Sequence, residues 1–161
     1  YEIGSGLVGS EMCIRDRSAG MTGSLKHFCG NNQETRRHTS NSIISERALR
    51  EIYLKAFEII VKEADPYTIM SSYNLINGVQ ASENKDLLTG ILRGEWDFKG
   101  MVTTDWWTHG EHYRETKAGN DLKMGNGYPD RVKKAYDKGA ISRSKMETSV
   151  KRILGLILKL D

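Results

Sequence analysis

Apolar positions from about residue 22 onward follow two alternating periods along the chain. Four short runs favour β structure, and they cover residues 22–28, 68–74, 100–106 and 120–125. The longer segments between and after them repeat apolar residues at every third or fourth position, which is typical of a helix with one buried face. Strands that alternate with helices indicate right-handed crossovers and a parallel sheet. The pattern therefore predicts an α/β fold with about four parallel strands.

The clearest helical pattern covers residues 45–64. Ser45 stands where an N-cap is expected, and Glu46 lies in the first turn, where the helix dipole favours a negative charge. The apolar residues along this segment fall on one face of the helix. Its members are predicted to be buried: Leu49, Ile52, Tyr53, Ala56, Ile60, Val61 and Ala64.

Three further helices are predicted. One covers residues 85–96, and a second runs from Pro129, which suits a first helical turn, to about Gly139. Periodicity fits either a small doubly wound sheet or part of a (β/α)8 barrel, since a complete barrel needs eight strands and about 250 residues. The last helix begins after Ser142, and its predicted buried residues are Met146, Val150, Ile153, Leu154, Ile157 and Leu158.

Composition narrows the classes of function. The chain has 161 residues, of which 38% are hydrophobic and 28% charged, with a net charge of +3. Lysine and arginine are interleaved with acidic residues, so no nucleic-acid-binding stripe is expected. No window reaches the roughly 18 consecutive apolar residues of a membrane span. There is no convincing signal peptide, but this says nothing about export if the natural N-terminus is missing, so the location is left unknown, with the bacterial cytoplasm as the favoured possibility.

Neither a metal site nor a cofactor site is expected. Cys13 and Cys29 form no C-x-x-C pair and have no partners at zinc-binding spacing. His109 and His112 have the i, i+3 spacing of metal ligands, but no third ligand accompanies them. Histidines of a loop are the simpler interpretation.

Polar and ionisable residues stand where the predicted strands end. Lys26 and His27 lie at the end of the first predicted strand, Tyr73 at the end of the second, and Asp105 with Trp106 at the end of the third. Each alone could be structural, as a surface lysine, a core histidine, a packed ring or a capping carboxylate. In parallel α/β folds, however, ligands bind at the carboxyl ends of strands. Their convergence on one edge predicts a functional site.

Bulky and cationic neighbours suggest what this site binds. Trp106 and Trp107 are adjacent, and one of them could offer the flat apolar platform that a sugar ring requires. Arg36 or Arg37 could bring a positive charge to the same place. An aldolase-like barrel with Lys26 as a Schiff-base lysine is a further possibility, but an adjacent histidine and a nearby carboxylate do not favour it.

Several long stretches carry a family resemblance. They read KHFCGNNQETRR, SERALREIYLKAFEIIVKEADPYTIMSSYNLINGVQASEN, LLTGILRGEWDFKGMVTTDWW and ETKAGNDLKM. Together they resemble the N-terminal barrel domain of glycoside hydrolase family 3, most closely its bacterial β-glucosidases, over residues 20–161. The resemblance implies that the chain forms the C-terminal half of a (β/α)8 TIM-type barrel.

The resemblance also implies roles for the residues at the strand ends. Asp105 would be the catalytic nucleophile of a retaining glycosidase and would carry a covalent glycosyl ester. Positive charges at Lys26 and Arg37 would favour its ionised form, and hydrogen bonds to sugar hydroxyls would orient the anomeric carbon. The residues implied to bind the substrate in the −1 subsite are Lys26, His27, Arg37, Tyr73 and Trp106.

The implied activity is that of an exo-acting β-glucosidase. It would hydrolyse terminal non-reducing β-D-glucosyl residues of a β-glucoside or an oligosaccharide; a β-xylosidase or another exo-glycosidase of the family is the alternative. The glutamate acid/base of such β-glucosidases is expected in a second domain, outside this chain, and the early barrel strands are also expected to be missing. The chain by itself is therefore expected to be inactive, a non-catalytic truncated barrel.

The first 19 residues do not share the resemblance and are expected to be a non-native or disordered leader. Residues 6–17 resemble the translation of a DNA adapter used to build sequencing libraries, whose product LVGSEMCIRDR equals residues 7–17. A fusion scar should be left out of reasoning about the fold. We therefore predict that residues 6–17 do not pack stably and that the domain covers residues 20–161.

Overall fold

Two small sheets organise the part of the chain that the computed structural model describes, which is residue 14 and residues 18–160. In chain order the six strands are β1 (Ser24–Phe28), β2 (Asn41–Ser42), β3 (Thr68–Ser71), β4 (Leu75–Ile76), β5 (Val79–Gln80) and β6 (Met101–Thr103). The central sheet has the order β1-β3-β6, and both of its pairings are parallel. The predicted α/β fold with a parallel sheet is thereby confirmed.

The second sheet was not predicted. Strand β2 runs parallel to β4, and β4 forms an antiparallel hairpin with β5. The hairpin turns at Asn77 and Gly78, whose φ angles are 49° and 85°. Asn-Gly is the dipeptide that favours such a turn because both positions tolerate positive φ. The strands have two residues each, too few to show an alternating pattern in the sequence.

The predicted fourth strand is reduced to a single bridge. Leu122 pairs with Thr103 in the parallel sense, and the Thr104 amide donates to the Leu122 carbonyl. Regular pairing then ends because the Met124 amide donates to the Thr104 side chain instead of a backbone carbonyl. Within the described residues the sheet is open and has three strands.

The helical pattern over residues 45–64 is present, but it is interrupted. Helix α1 (Glu46–Ala48) passes through a π-helical turn, Leu49–Tyr53, into α2 (Lys55–Ala64). The predicted N-cap is confirmed, since Ser45 Oγ accepts a hydrogen bond from the Ala48 amide at 3.2 Å. The i to i+5 bonding of the π turn rotates the apolar face. Consequently Leu54 is buried, and the prediction that Ile52 is buried was wrong, because Ile52 is 67% exposed.

The later helices match their predictions in position. Helix α3 (Asp86–Glu95) has π-helical bonding, and α5 (Pro129–Asp137) begins at the predicted proline. Gly139 follows α5 with a φ of 70°, as a C-terminal glycine does. Helix α4 (His112–Ala118) was not predicted, because it is short and its polar sequence, HYRETKA, has no apolar period.

The last helix, α6 (Arg143–Leu160), is present, but its predicted burial was largely wrong. Four of the six residues predicted to be buried are exposed, and no other described element covers them: Val150, Leu154, Ile157 and Leu158. The apolar period correctly predicted the helix, but no other part of the described chain packs against this face. None of the described helices combines the length and apolar character needed to cross a membrane.

The hydrophobic core lies between the central sheet and helices α2 and α3. Phe28, at the end of β1, makes edge contacts with the rings of Phe57 and Trp96 at centroid distances of 5.0 and 6.0 Å. Ile69 and Val102, on the neighbouring strands, are fully buried. This packing fixes the carboxyl ends of β1, β3 and β6 side by side.

Candidate active site

Three of the predicted site residues meet at the carboxyl edge of the central sheet. His27 lies within β1, Tyr73 is two residues beyond β3, and Asp105 is two residues beyond β6. His27 Nε2 lies 3.3 Å from Asp105 Oδ2. Parallel pairing of the strands therefore brings together residues that are up to 78 positions apart in the sequence.

Asp105 is held in one orientation. Asp105 is only 7% exposed, and its Oδ1 accepts a hydrogen bond from the Trp106 backbone amide at 2.7 Å. The other oxygen faces His27. A buried carboxylate with both oxygens engaged is oriented before any ligand binds, which is what a nucleophile or a positioning group requires.

Tyr73 ties the end of β3 to the segment after β6. Its hydroxyl donates to the Trp106 carbonyl at 2.6 Å. Burial of the phenol, together with the nearby charge of Asp105, raises the pKa of Tyr73 to about 12. The phenol therefore remains protonated at neutral pH and keeps donating to the backbone beside Asp105.

Among the described residues, neither Lys26 nor Arg37 forms an ion pair with Asp105. Lys26 is exposed on β1. Arg37 pairs with Glu34 at 3.0 Å, and its guanidinium carbon lies 4.9 Å from the centre of the Tyr73 ring. Arg37 thus reaches the rim of the site through a cation–π contact, with Glu34 as its hydrogen-bonding partner.

Two histidines extend the site in a way that the sequence did not indicate. The His38 ring packs against Tyr73 with 4.1 Å between centroids, and it stacks on His109 at 5.0 Å. Burial, with the charges of His109 and Arg37, lowers the pKa of His38. Within the described residues, no three His, Cys, Asp or Glu side chains are grouped as a metal site would require.

A buried ion pair lies behind the segment that follows Asp105. Lys123 Nζ is 2.7 Å from Glu115 Oε2, and both side chains are 1% exposed. The ammonium also donates to the carbonyls of Thr108 at 3.1 Å and Gly110 at 3.0 Å. The pair therefore anchors residues 108–110 from the interior of the protein. The sequence contained both residues in a recognisable stretch but gave no sign that they touch.

Two indoles form the exposed border of the site. The rings of Trp106 and Trp107 are 5.3 Å apart and inclined at 56°, and both residues are exposed. The backbone amide of Trp106 binds Asp105, so both indoles belong to the segment that directly follows the carboxylate. A carboxylate bordered by aromatic rings and hydrogen-bonding side chains is suited to bind a ring that is apolar on its faces and polar at its edge.

Comparison with known proteins gives the same family at the levels of sequence and structure. The family described as "Glycosyl hydrolase family 3 N terminal domain" matches residues 6–156. This range includes the segment predicted to be non-native, whose boundary stays a prediction because residues 1–13 and 15–17 lie outside the described residues.

Curated relatives include beta-glucosidases. Beta-glucosidase A of Butyrivibrio fibrisolvens is 57% identical over 122 residues, which are 76% of this chain and 15% of the relative. An exo-alpha-(1->6)-L-arabinopyranosidase of Bifidobacterium longum is 44% identical over 144 residues, 89% of this chain and 19% of that protein. The chain thus spans less than a fifth of the length of these relatives.

Solved structures agree with the curated relatives. Beta-glucosidase 3B from Thermotoga neapolitana, in complex with glucose, superposes with a TM-score of 0.93 at 38% identity. The superposition covers 96% of this chain and 23% of that one. A beta-glucosidase of Bifidobacterium adolescentis gives the same TM-score at 41% identity and covers 97% of this chain and 23% of its own.

Proposed function

The chain belongs to glycosyl hydrolase family 3, and from this premise we propose that it carries the nucleophile side of a retaining β-glucosidase active site. The whole enzyme would release terminal non-reducing β-D-glucosyl residues from β-glucosides or oligosaccharides. Names of the relatives support glucosidase chemistry and give no support to the β-xylosidase alternative. The observation that carries the proposal is the buried, oriented carboxylate of Asp105 at the sheet edge.

Asp105 would act as the nucleophile. A carboxylate oxygen attacks the anomeric carbon while the bond from that carbon to the leaving-group oxygen breaks, and an acid protonates this oxygen. A glycosyl ester on Asp105 results. Water, deprotonated by the same acid/base, then attacks the anomeric carbon and releases the sugar and the free carboxylate.

The surrounding side chains would hold the sugar. His27, beside the carboxylate, and Lys26, on the same strand, would bind hydroxyls of the ring, and Arg37 would reach it from above Tyr73. The protonated phenol of Tyr73 would keep the backbone of Trp106 in place, so that this indole borders the −1 subsite. These contacts would orient the anomeric carbon for attack.

The chain would supply only part of the site. A retaining enzyme needs a second carboxyl group about 5–5.5 Å from the nucleophile. Glu34, the acidic residue whose contacts lie at this rim, is engaged by Arg37. We therefore place the acid/base outside this chain, interpret residues 20–161 as the C-terminal half of a TIM-type barrel, and expect the chain alone to be inactive.

Mechanism-based labelling tests the nucleophile. A 2-fluoro-glucoside should label the whole enzyme, expressed from the uninterrupted gene, on the peptide that contains Asp105. Asp105→Asn should lower kcat/KM by at least about a thousandfold. Asp97→Asn, at an exposed position after α3, serves as the matched control and should retain full activity. Labelling of a different peptide would remove Asp105 from this role.

Two experiments test whether the acid/base lies elsewhere. Glu34→Gln in the whole enzyme should weaken substrate binding at most moderately, because its proposed role is to hold Arg37. A thousandfold loss of kcat that azide restores would instead assign the acid/base to Glu34. Substantial hydrolysis of an aryl β-glucoside by the purified 161-residue chain would likewise contradict the proposed division of the site.

A further inference from the structure

A cavity of about 240 Å³ lies at the edge of the central sheet opposite the candidate active site. Met101, the first residue of β6, and Tyr67, which directly precedes β3, form one wall, and the Met101 amide donates to the Tyr67 carbonyl at 2.9 Å. Helix α6 forms the other wall. Asp105 follows the carboxyl end of β6, whereas this cavity adjoins its amino end. The cavity is therefore separate from the candidate active site.

This cavity has an excess of positive charge. Of the described residues that line it, none is acidic and four are cationic: Lys99, Lys151, Arg152 and Lys159. Lys151 forms no ion pair with any carboxylate in the described part of the chain. Lys159 Nζ lies 4.4 Å from the centre of the Tyr67 ring. This cation–π contact holds the ammonium at the wall without neutralising its charge.

Acidic neighbours offset only part of the positive charge. Lys99 pairs with Asp97. Arg152 lies 3.0 Å from Asp121, but the same carboxylate also pairs with Arg93 at 2.7 Å, so one negative charge serves two guanidinium groups. Cations that are clustered in this way repel one another, and a bound anion relieves the repulsion.

A glycine keeps the space between two of the lysines open. Lys151, Gly155 and Lys159 are spaced four residues apart, so they lie on the same face of α6. Glycine is unfavourable within a helix compared with alanine. Packing does not require it here, because a Cβ atom at position 155 would meet no other atom within 4 Å. The missing side chain leaves an opening between two ammonium groups.

We propose that this cavity binds a small ligand through a phosphate group, independently of the proposed glycosidase activity. A phosphate ester carries a charge of about −1.5 to −2 at pH 7 and presents three acceptor oxygens, so it can bind cations from different walls at once. Lysine suits this role because its ammonium is a compact point charge with three donors. The phosphate lies above Gly155, between Lys151 and Lys159. The cavity volume is below the roughly 300–1,000 Å³ of sites for drug-sized ligands, so it suits inorganic phosphate or a short phosphate ester.

Calorimetric titration of the whole enzyme with inorganic phosphate and with glycerol 3-phosphate, at constant ionic strength, tests the charge requirement. Lys151→Gln removes one cation from an exposed position and should weaken binding about tenfold. Lys138→Gln is the matched control, because Lys138 is also exposed but lies outside the cavity. It should leave the affinity within about twofold of the unmutated enzyme.

A second pair of variants tests the opening at the glycine. Gly155→Leu should weaken phosphate binding at least about tenfold, because the side chain occupies the place of the ligand. It should not lower Tm, since leucine favours a helix more than glycine does. Gly90→Leu is the matched control, because Gly90 is a glycine of α3 with equally open surroundings. It should leave phosphate binding unchanged.

The two probes separate the possible ligands. Tighter binding of glycerol 3-phosphate supports a phosphate ester as the ligand, and binding of inorganic phosphate that is at least as tight supports the free anion. Absence of binding by both probes would overturn the inference, and so would equally tight binding of acetate. Affinities that Lys151→Gln leaves unchanged, or that Lys138→Gln lowers as much, would also overturn it, because the attraction would then belong to the surface in general. If Gly155→Leu does not fold, the two lysine variants decide the outcome.

Discussion

Positions in the sequence predicted some, but not all, of the contacts that individual side chains make at the sheet edge. Asp105, Tyr73 and His27 converge as their places at strand ends predicted. Arg37 was expected to stand beside Asp105 but is bound by Glu34, three residues earlier. A partner that is close in sequence costs little chain entropy to reach, so such local pairs compete effectively with distant ones.

The buried Lys123–Glu115 pair should be essential for the stability of the chain. Lys123→Met leaves the Glu115 carboxylate buried without its counter-charge, which costs about 3–5 kcal/mol. Urea unfolding of the chain would measure the loss. Lys133→Met is the matched control, because Lys133 forms an exposed pair with Asp137 and its loss should leave the free energy of unfolding nearly unchanged. Similar effects of the two substitutions would contradict the assigned role.

Acid should destabilise the chain through His112. His112 Nδ1 accepts a hydrogen bond from the Tyr128 amide at 3.1 Å, which requires that nitrogen to be unprotonated. Burial and the positive charge of Lys123 lower the pKa of His112 in the folded state from its ordinary value of 6.5. The unfolded chain therefore binds more protons as the pH falls below about 6.5, so stability is full above that pH and decreases below it.

Thermal unfolding between pH 7.5 and 5 checks this dependence. His112→Gln should be less stable at pH 7.5, because the hydrogen bond is lost, but should lose less on acidification than the unmutated chain. His38→Gln should also flatten the profile, since the pKa of His38 is lowered as well. A profile for His112→Gln as steep as that of the unmutated chain would refute the assignment.

At the scale of elements, the helix that follows the β2 strand shows how a local irregularity changes a buried face. The 3.6-residue period placed Ile52 in the core, whereas the π-helical turn over Leu49–Tyr53 places Leu54 there. The amide of Leu54 donates to the Leu49 carbonyl, five residues earlier, at 2.8 Å. The period of apolar residues predicts the helix, but the π-helical turn decides which side chains are buried.

A pair of alanine substitutions distinguishes the two faces. Leu54→Ala should destabilise the chain by about 2–5 kcal/mol, because it leaves a cavity in the core. Ile52→Ala should change the free energy of unfolding by less than about 0.5 kcal/mol, since the side chain it shortens is largely exposed. Denaturant titration of the two variants gives both values. A larger loss for Ile52→Ala would mean that the regular helical face is the buried one.

At the scale of the whole molecule, helix α6 carries an apolar face that no other described element covers. The exposed α6 residues are spaced four, three and one apart, as one helical face requires: Val150, Leu154, Ile157 and Leu158. Exposed apolar patches of this kind favour self-association when nothing covers them. The chain spans less than a fifth of the curated relatives named above, and our proposal of a larger enzyme is compatible with such a surface.

Charged substitutions on this face should make the isolated chain more soluble without unfolding it. Leu154→Lys combined with Leu158→Lys removes apolar surface that is already in water, so the free energy of unfolding should change by less than about 1 kcal/mol. Sedimentation velocity should show less self-association than for the unmutated chain. Leu88→Lys, in the core of α3, is the contrasting control and should prevent folding. Unfolding by the double substitution would show that the α6 face is packed in solution.

Much of the fold and part of the site were predictable from the sequence. Short β-favouring runs located β1, β3 and β6, and amphipathic periods located four helical regions, because both signals are local properties of the sequence. The strand ends identified Asp105, His27 and Tyr73 as neighbours in one candidate site, because parallel strands bring their carboxyl ends to the same edge of the sheet. The short elements β2, β4, β5 and α4 carried no comparable period.

The sequence by itself determined the four longer helical regions and the three strands of the central sheet, the family to which the chain belongs, and the residue types available at the sheet edge. Only the tertiary structure decided which of these residues touch. It selected His27 as the basic neighbour of Asp105, joined Lys123 to Glu115 in the interior, and seated Trp107 against Gly125. The physical reason is that periodicity is a local property, whereas each of these contacts depends on the register and packing of several elements at once.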